Sequence, residues 1–402
     1  MLYSVRSSAV LLALVATLAM SPVAPEAGNV IFLALGGLSI ALMFRRAGDQ
    51  VQRPIVWMPL LGLGLIALSY GIGAKSFEGL IGLAFFSPLF AIWPLLTAAE
   101  DMKSDDSSVL IAILALAGVA GAAVVAVMEV VATGTVRAGG GVANPIHFAD
   151  VALIAGFLAC AGLVGKVTRW RFLFLLGPVF ATVAVVLSGT RGAVVAIAAM
   201  LVVAAIGLVV LRVVSVKRAL IALAVLVVGC AVALLLGASQ FSGIQRVLID
   251  IGEVLQHGVP TDESTAIRLQ MISGGIQAFQ QAPIFGHGPL AFVNLANELA
   301  GVPFGSWPHL HNDLADFAAS AGVVGLISYA LFLLAPIIEA LQVKSSATKP
   351  RILILASTLV AGYFIMGLTN AMFGILTVTV SYAVICVVTG ILVTQANQTP
   401  KA

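Results

Sequence analysis

Residues 191–211 read RGAVVAIAAMLVVAAIGLVVL, one arginine followed by twenty residues without a charge, an amide or a proline. An α-helix rises about 1.5 Å per residue, so this run matches a bilayer core of roughly 30 Å. In water it would expose apolar surface on every side. In lipid it needs only to satisfy its own backbone, which a helix does. Similar runs flank it at 8–24, 29–44, 54–72, 77–98, 108–133, 148–165 and 170–188, and again at 219–237, 314–342, 352–370 and 374–395. The expected fold is an all-α, polytopic membrane bundle of about twelve transmembrane helices. Residues 1–237 carry helices 1–9, 238–313 form one larger polar segment, and 314–402 carry helices 10–12. The first run also fits a cleaved signal peptide, with Arg6 as its charged region and a cleavage site near Ala24–Ala27.

Composition supports this reading. Hydrophobic residues make up 61% of the 402 and charged residues 9%, too few charges to cover a soluble domain of this size. The 40 glycines suit membrane helices, where small residues let backbones approach closely. A net charge of +3, scattered through short links, gives no basic face for nucleic acid. Cys160, Cys230 and Cys386 all lie inside apolar runs, which suggests packing rather than disulfides or a cysteine metal site.

Short cytoplasmic loops are enriched in lysine and arginine. With both termini in the cytoplasm, 15 of the 20 lysines and arginines fall on that side. The other five, Lys75, Arg137, Arg191, Arg246 and Arg268, are left on the outer side together with segment 238–313. A cation there is costly unless it is paired, snorkels or serves a ligand. Arg191 follows Ser188-Gly189-Thr190, where Thr190 is a candidate helix cap, and reads either as a snorkelling residue or as an anion ligand facing the interior.

Within the outer segment, apolar residues from Ile244 to Leu255 recur at helical spacing and predict an amphipathic interfacial helix. A second helix is expected to open at Ser264 or Thr265, carry Arg268 and end near Pro283, before a turn at Gly286-His287-Gly288-Pro289. Arg268 reads either as a solvated surface charge paired with nearby acids or as a ligand. Trp307-Pro308-His309-Leu310-His311-Asn312-Asp313 is the densest polar cluster. Asn312 is a good cap, which places His311 at the positive end of a helix and favours its neutral form. Three readings stand: an interfacial structural histidine, a metal site from His309, His311, Asp313 and Asp316, and a general base. His147, His257 and His287 add no HExxH-type spacing to the metal reading.

His311-Asn312, then nine residues, then Gly322-Val323-Val324-Gly325 resembles the histidine signature of the O-antigen ligase and polymerase superfamily of bacterial membrane glycosyltransferases. Gln281 to Gly288 resembles that family's proline-phenylalanine-glycine turn. Arg268, Arg191 in Ser-Gly-Thr-Arg-Gly, and Arg137 through Asn144-Pro145 match further blocks, and Gly367–Phe373 is similar to its tail segment. The resemblance implies a GT-C-like fold and metal-independent, inverting transfer without a cofactor. The donor would be an undecaprenyl-pyrophosphate-linked glycan and the acceptor a lipid A-core sugar hydroxyl. It further implies His311 as catalytic base, Arg191, Arg268 and Arg137 as pyrophosphate ligands, and His309, Asn312 and Asp313 as supporting residues. The site would face the periplasm from the inner membrane. A polymerase of the same superfamily, transfer to a protein hydroxyl and a secondary transporter are the competing expectations. A transporter usually has ionisable residues at mid-membrane in related halves, and no halves repeat here.

Overall fold

The computed structural model describes residues 10–73, 77–100, 107–135, 137–165, 168–217, 249, 252–253, 256, 262–301, 303–344 and 347–398, with backbone alone over 41–49. All regular structure among them is helical. In chain order the helices are α1 (Val10–Met20), α2 (Pro25–Val51), α3 (Pro54–Gly73), α4 (Phe77–Ala99), α5 (Ser107–Thr133), α6 (Pro145–Leu163) and α7 (Arg169–Ser188). They continue as α8 (Arg191–Val210), α9 (Glu263–Gln281), α10 (Phe292–Leu299), α11 (Asp313–Leu341), α12 (Lys349–Gly367) and α13 (Leu376–Gln398). Nine described helices, α3 to α8 and α11 to α13, are long and apolar enough to cross a membrane, and the protein is a polytopic helical membrane protein. The apolar runs over 8–24 and 29–44 fall on α1 and α2. The expected span 219–237 lies outside the described residues, as does the amphipathic helix over 244–255 apart from Ile249, Gly252 and Glu253.

Helix α13 is the most enclosed span and forms the axis of the bundle. At one end Arg53 binds the buried Glu339, Nε to Oε1 at 2.9 Å, and also donates to Thr394 Oγ1 and Gly390 O. This ion pair joins α3, α11 and α13. A buried carboxylate without such a partner would be strongly destabilising. Toward the other end an aromatic cluster fills the interior, with Phe373 against Phe317, Tyr329, Phe332, Tyr363 and Tyr382 at ring-centroid distances of 4.9–5.9 Å. Phe373 comes from the α12–α13 link, which dips into the bundle because Tyr363 donates its hydroxyl to Met372 O at 2.8 Å.

Helix α11 is broken at Gly322, whose φ of 67° interrupts its hydrogen-bond ladder inside the bundle. The freed backbone groups need partners, and residues 283–288 supply them. Val323 N donates to Pro283 O, His287 N to Ala319 O and Gly288 N to Ser320 O, at 2.8–3.0 Å. Ser69 of α3 closes the joint by donating to both Phe285 O and Ala321 O. The expected turn at Gly286–Pro289 is therefore also a dock for a membrane helix.

A methyl at Gly322 would face the wrong φ and collide with the carbonyl of Ile284. Gly322→Ala should lose about 2 kcal/mol or more, read as a lower thermal midpoint of the detergent-solubilised protein. Gly64→Ala, whose methyl meets nothing within 4 Å, should leave the midpoint unchanged. Equal midpoints in the two variants would refute the docking account.

Candidate active site

The α5–α6 link, the starts of α6, α8, α9 and α11, and the end of α12 meet at the end of the bundle opposite Arg53. There they enclose a cavity of about 460 Å³. Arg137, Arg191 and Arg268 line it together with Asp150, Trp307 and His311.

Arg191 is the first residue of α8. Its Nη2 lies 2.9 Å from Asp262 Oδ2 and its Nη1 donates to Thr265 Oγ1 at 3.1 Å. Asp262 is the cap of α9, accepting from Thr265 N, so this helix opens at Glu263 and not at Ser264 or Thr265. A carboxylate takes the cap because it satisfies both the helix terminus and Arg191. Burial opposes the charge on Asp262, but Arg191 and Thr265 outweigh it and hold the carboxyl below its ordinary range. Thr190 occupies the α8 cap position without capping. Its hydroxyl bonds Pro145 O instead and ties α8 to α6.

Arg268 lies in the second turn of α9, half-buried and without a hydrogen bond to the described residues. Burial lowers its pKa, and repulsion from Arg191 and Arg137 adds to this, against the attraction of Asp262 and Asp150. Arg137 stands on a loop pinned by Glu129, whose two carboxylate oxygens accept from Gly139 N and Gly141 N at 2.6 and 3.1 Å. Three guanidiniums that raise one another's energy create a positive field that an anion would relieve.

His311 sits on a strap shaped by the first turn of α11. Asn312 caps that helix as expected, its Oδ1 accepting from Ala315 N, and its Nδ2 donates to Leu368 O. Asp316 Oδ1 accepts from Leu310 N at 2.8 Å, and the fully buried Asp313 accepts from Met372 N and Phe373 N. The two carboxylates thus hold backbone, and His309, His311, Asp313 and Asp316 do not converge as a ligand set. Among the described residues no group of three His, Cys, Asp or Glu could hold a metal ion. The strap leaves His311 at φ 54°, a conformation that costs a residue with a side chain about 1 kcal/mol and is concentrated at functional sites. His309 packs edge-on against the His311 ring at 4.1 Å, and its Nδ1 accepts from His311 N. Burial, then Arg268, pushes the His311 pKa down to about 4. Burial and His311 push His309 to about 3.

Three further residues were not picked out from the sequence. Asp150 lies five residues into α6 at 1% exposure and bonds Asn370. An acid inside an apolar run was the available signal. Asn370 lies inside Gly367–Phe373, the segment similar to the family's tail, which was its one signal. Trp307 donates its indole N–H to Phe304 O, which holds the ring edge-on to His311 at 5.3 Å on the cavity wall.

Residues 176–330 match the family model described as O-antigen ligase. Over this segment the chain is similar to that family. No curated protein matches the chain. The matched segment runs from within α7 into α11 and contains Arg191, Arg268, His309 and His311. Arg137, Asp150 and Asn370 lie outside it, and folding brings them to the same site. Members of this family are membrane enzymes of glycosyltransferase type.

His311 has a protonation midpoint depressed from 6.5 to about 4, so it binds fewer protons folded than unfolded. Stability should therefore fall as pH drops from about 6.5 toward 4. Histidine-labelled NMR of the detergent-solubilised protein should show His311 uncharged from pH 5 to 8. A midpoint between 6 and 7 would contradict the electrostatic account.

Proposed function

We propose that the protein is an O-antigen ligase-type glycosyltransferase, moving a glycan from undecaprenyl pyrophosphate to a sugar hydroxyl of lipid A-core. The observation that carries this reading is the meeting of three guanidiniums and a neutral imidazole on the wall of one cavity at the helix ends. Arginine forks match phosphate oxygens and remain charged, so Arg191, Arg268 and Arg137 can bind a pyrophosphate and stabilise the charge it gains on leaving. Arg191 would keep or exchange its bond to Asp262 as the anion enters.

His311 Nε2 takes the proton of the acceptor hydroxyl. The hydroxyl oxygen bonds to the anomeric carbon from the face opposite the pyrophosphate, and the bond from that carbon to the pyrophosphate oxygen breaks toward the arginines. The configuration inverts and undecaprenyl pyrophosphate leaves. An uncharged imidazole is already competent as a base at neutral pH, and burial first and Arg268 second keep His311 in that form.

The described basic residues of the opposite end, including Arg53, Arg169, Arg171, Lys344, Lys349 and Arg351, supply the orientation. Under the positive-inside rule that end faces the cytoplasm, and the cavity opens to the periplasm of a bacterial inner membrane. The donor's isoprenoid tail then stays in hydrocarbon between helices.

The test is transfer by the purified chain in detergent, given lipid-linked glycan and lipid A-core without added metal. Ligated product should form and persist in chelator. His311→Ala should lower kcat by roughly 10²–10⁴-fold. Arg268→Lys should fail to restore activity lost in Arg268→Ala, because an ammonium lacks the bidentate fork. Full activity in His311→Ala would defeat the mechanism. Products lengthened on the carrier lipid, with none on the core, would identify a polymerase instead.

A further inference from the structure

Trp307 is 43% exposed and lines the cavity beside His311, with ring centroids 5.3 Å apart. An exposed indole at the end of a membrane bundle usually belongs to the interfacial belt, with its N–H turned to water or headgroups. Here the N–H is already spent. Nε1 donates to Phe304 O at 2.8 Å, so what the side chain offers a ligand is the face of its ring.

The ring is fixed before any ligand arrives. Phe304 is 6% exposed, in an apolar cluster with Met271 of α9, Phe292 and Ala296 of α10 and Leu310 of the strap. Asn297 of α10 holds the same backbone, its Oδ1 accepting from Phe304 N and Gly305 N at 2.6 and 3.1 Å. The chain then turns at Gly305, at φ 90°, and the indole comes back onto Phe304 O. A ligand that binds this ring does not have to order it.

The chemistry of the cavity narrows what that ligand is. An aromatic face is the negative side of the ring quadrupole, so it repels phosphate oxygens and accepts polarised C–H groups. An isoprenoid tail would suit the ring, but it would strip water from the three arginines of the same cavity without offering them a hydrogen bond. A pyranose has both surfaces, an apolar C–H face for the indole and hydroxyls for the charged groups around it. A general base works within hydrogen-bond reach of the hydroxyl it deprotonates. The sugar bearing that hydroxyl therefore lies against His311, and the indole is the neighbouring surface.

We infer that Trp307 is the stacking platform of a saccharide subsite, and that the sugar it holds is the one whose hydroxyl His311 activates, the acceptor. Assignment to the acceptor rests on the reading of His311 as the base. The saccharide subsite itself does not.

The first experiment is fluorescence of the full chain in detergent. The chain has four tryptophans, and Trp57→Phe, Trp93→Phe and Trp170→Phe together leave Trp307 as the sole indole. Its emission should change saturably with core oligosaccharide freed of lipid, and should not respond to undecaprenyl phosphate. In the transfer assay Trp307→Ala should raise the acceptor KM roughly 10-fold, the size expected when a half-exposed indole no longer covers an apolar face, at unchanged donor KM. Trp307→Phe should recover most of that loss. Trp307→Leu, which keeps apolar bulk without a π face, should not.

A response to undecaprenyl phosphate alone, or to neither probe, would overturn the subsite. Equal recovery by Leu and Phe would reduce the ring to a wall, and a fall in kcat at unchanged acceptor KM would make it only a support for His311. Either result would overturn the platform. A response to the free repeat-unit glycan alone would place the donor's sugar there and overturn the assignment to the acceptor. A saturable response to core oligosaccharide in a chain without transferase activity would uphold the subsite and count against the proposed function alone. Thermal midpoints equal to wild type in the Phe and Leu variants separate these readings from misfolding.

Discussion

A helix broken inside an apolar bundle must find partners for the backbone groups it frees, and the break at Gly322 answers that demand with residues 283–288. The bonds made there are not local. They join the end of α9, which carries Arg268, to α11, which carries His311 at its start. Rigid attachment of these two elements sets the spacing between a cation that can hold a leaving group and a base that can activate a nucleophile. Ser69 brings α3 into the same joint, so the geometry of the cavity is anchored in the body of the bundle.

Electrostatics at the cavity depend on restraint as much as on attraction. Arg191 is balanced by Asp262, while Arg268 feels two like charges and two acids. The result is a net positive wall that does not collapse onto its own carboxylates, because Asp313 and Asp316 are occupied with backbone N–H groups. Burial keeps both His309 and His311 uncharged, and the nearby charge of Arg268 adds to it. A protonated imidazole in that place would compete with the arginines for the anion and could not act as a base.

Much of the architecture was legible because hydrophobic length is a local property. Runs such as 108–133 and 191–211 can only be spans, and their observed limits agree within a few residues. Arg191 and His311 stood out because each is polar at the edge of an apolar run, and Arg268 because it is a cation stranded in the outer segment; each lies in a short motif. Caps were partly legible. Asn312 caps α11 as its residue type suggests, whereas Thr190 was drawn to Pro145 O and Asp262 displaced Ser264 and Thr265 at α9, choices made by neighbours distant in sequence.

By itself, then, the sequence determined that the chain is a membrane bundle, where its helices run, and which arginines and histidine are candidates for chemistry, because burial length and stranded charge are written residue by residue. Only the tertiary structure decided that Arg137, Arg191, Arg268 and His311 share one cavity, that Asp313 is a backbone anchor, and that Asn370 bonds Asp150. The physical reason is that a hydrogen bond between residues 220 positions apart has no local pattern to announce it. It exists because the α12–α13 link, drawn inward by Asp313 and Tyr363, places one amide against a carboxylate on α6.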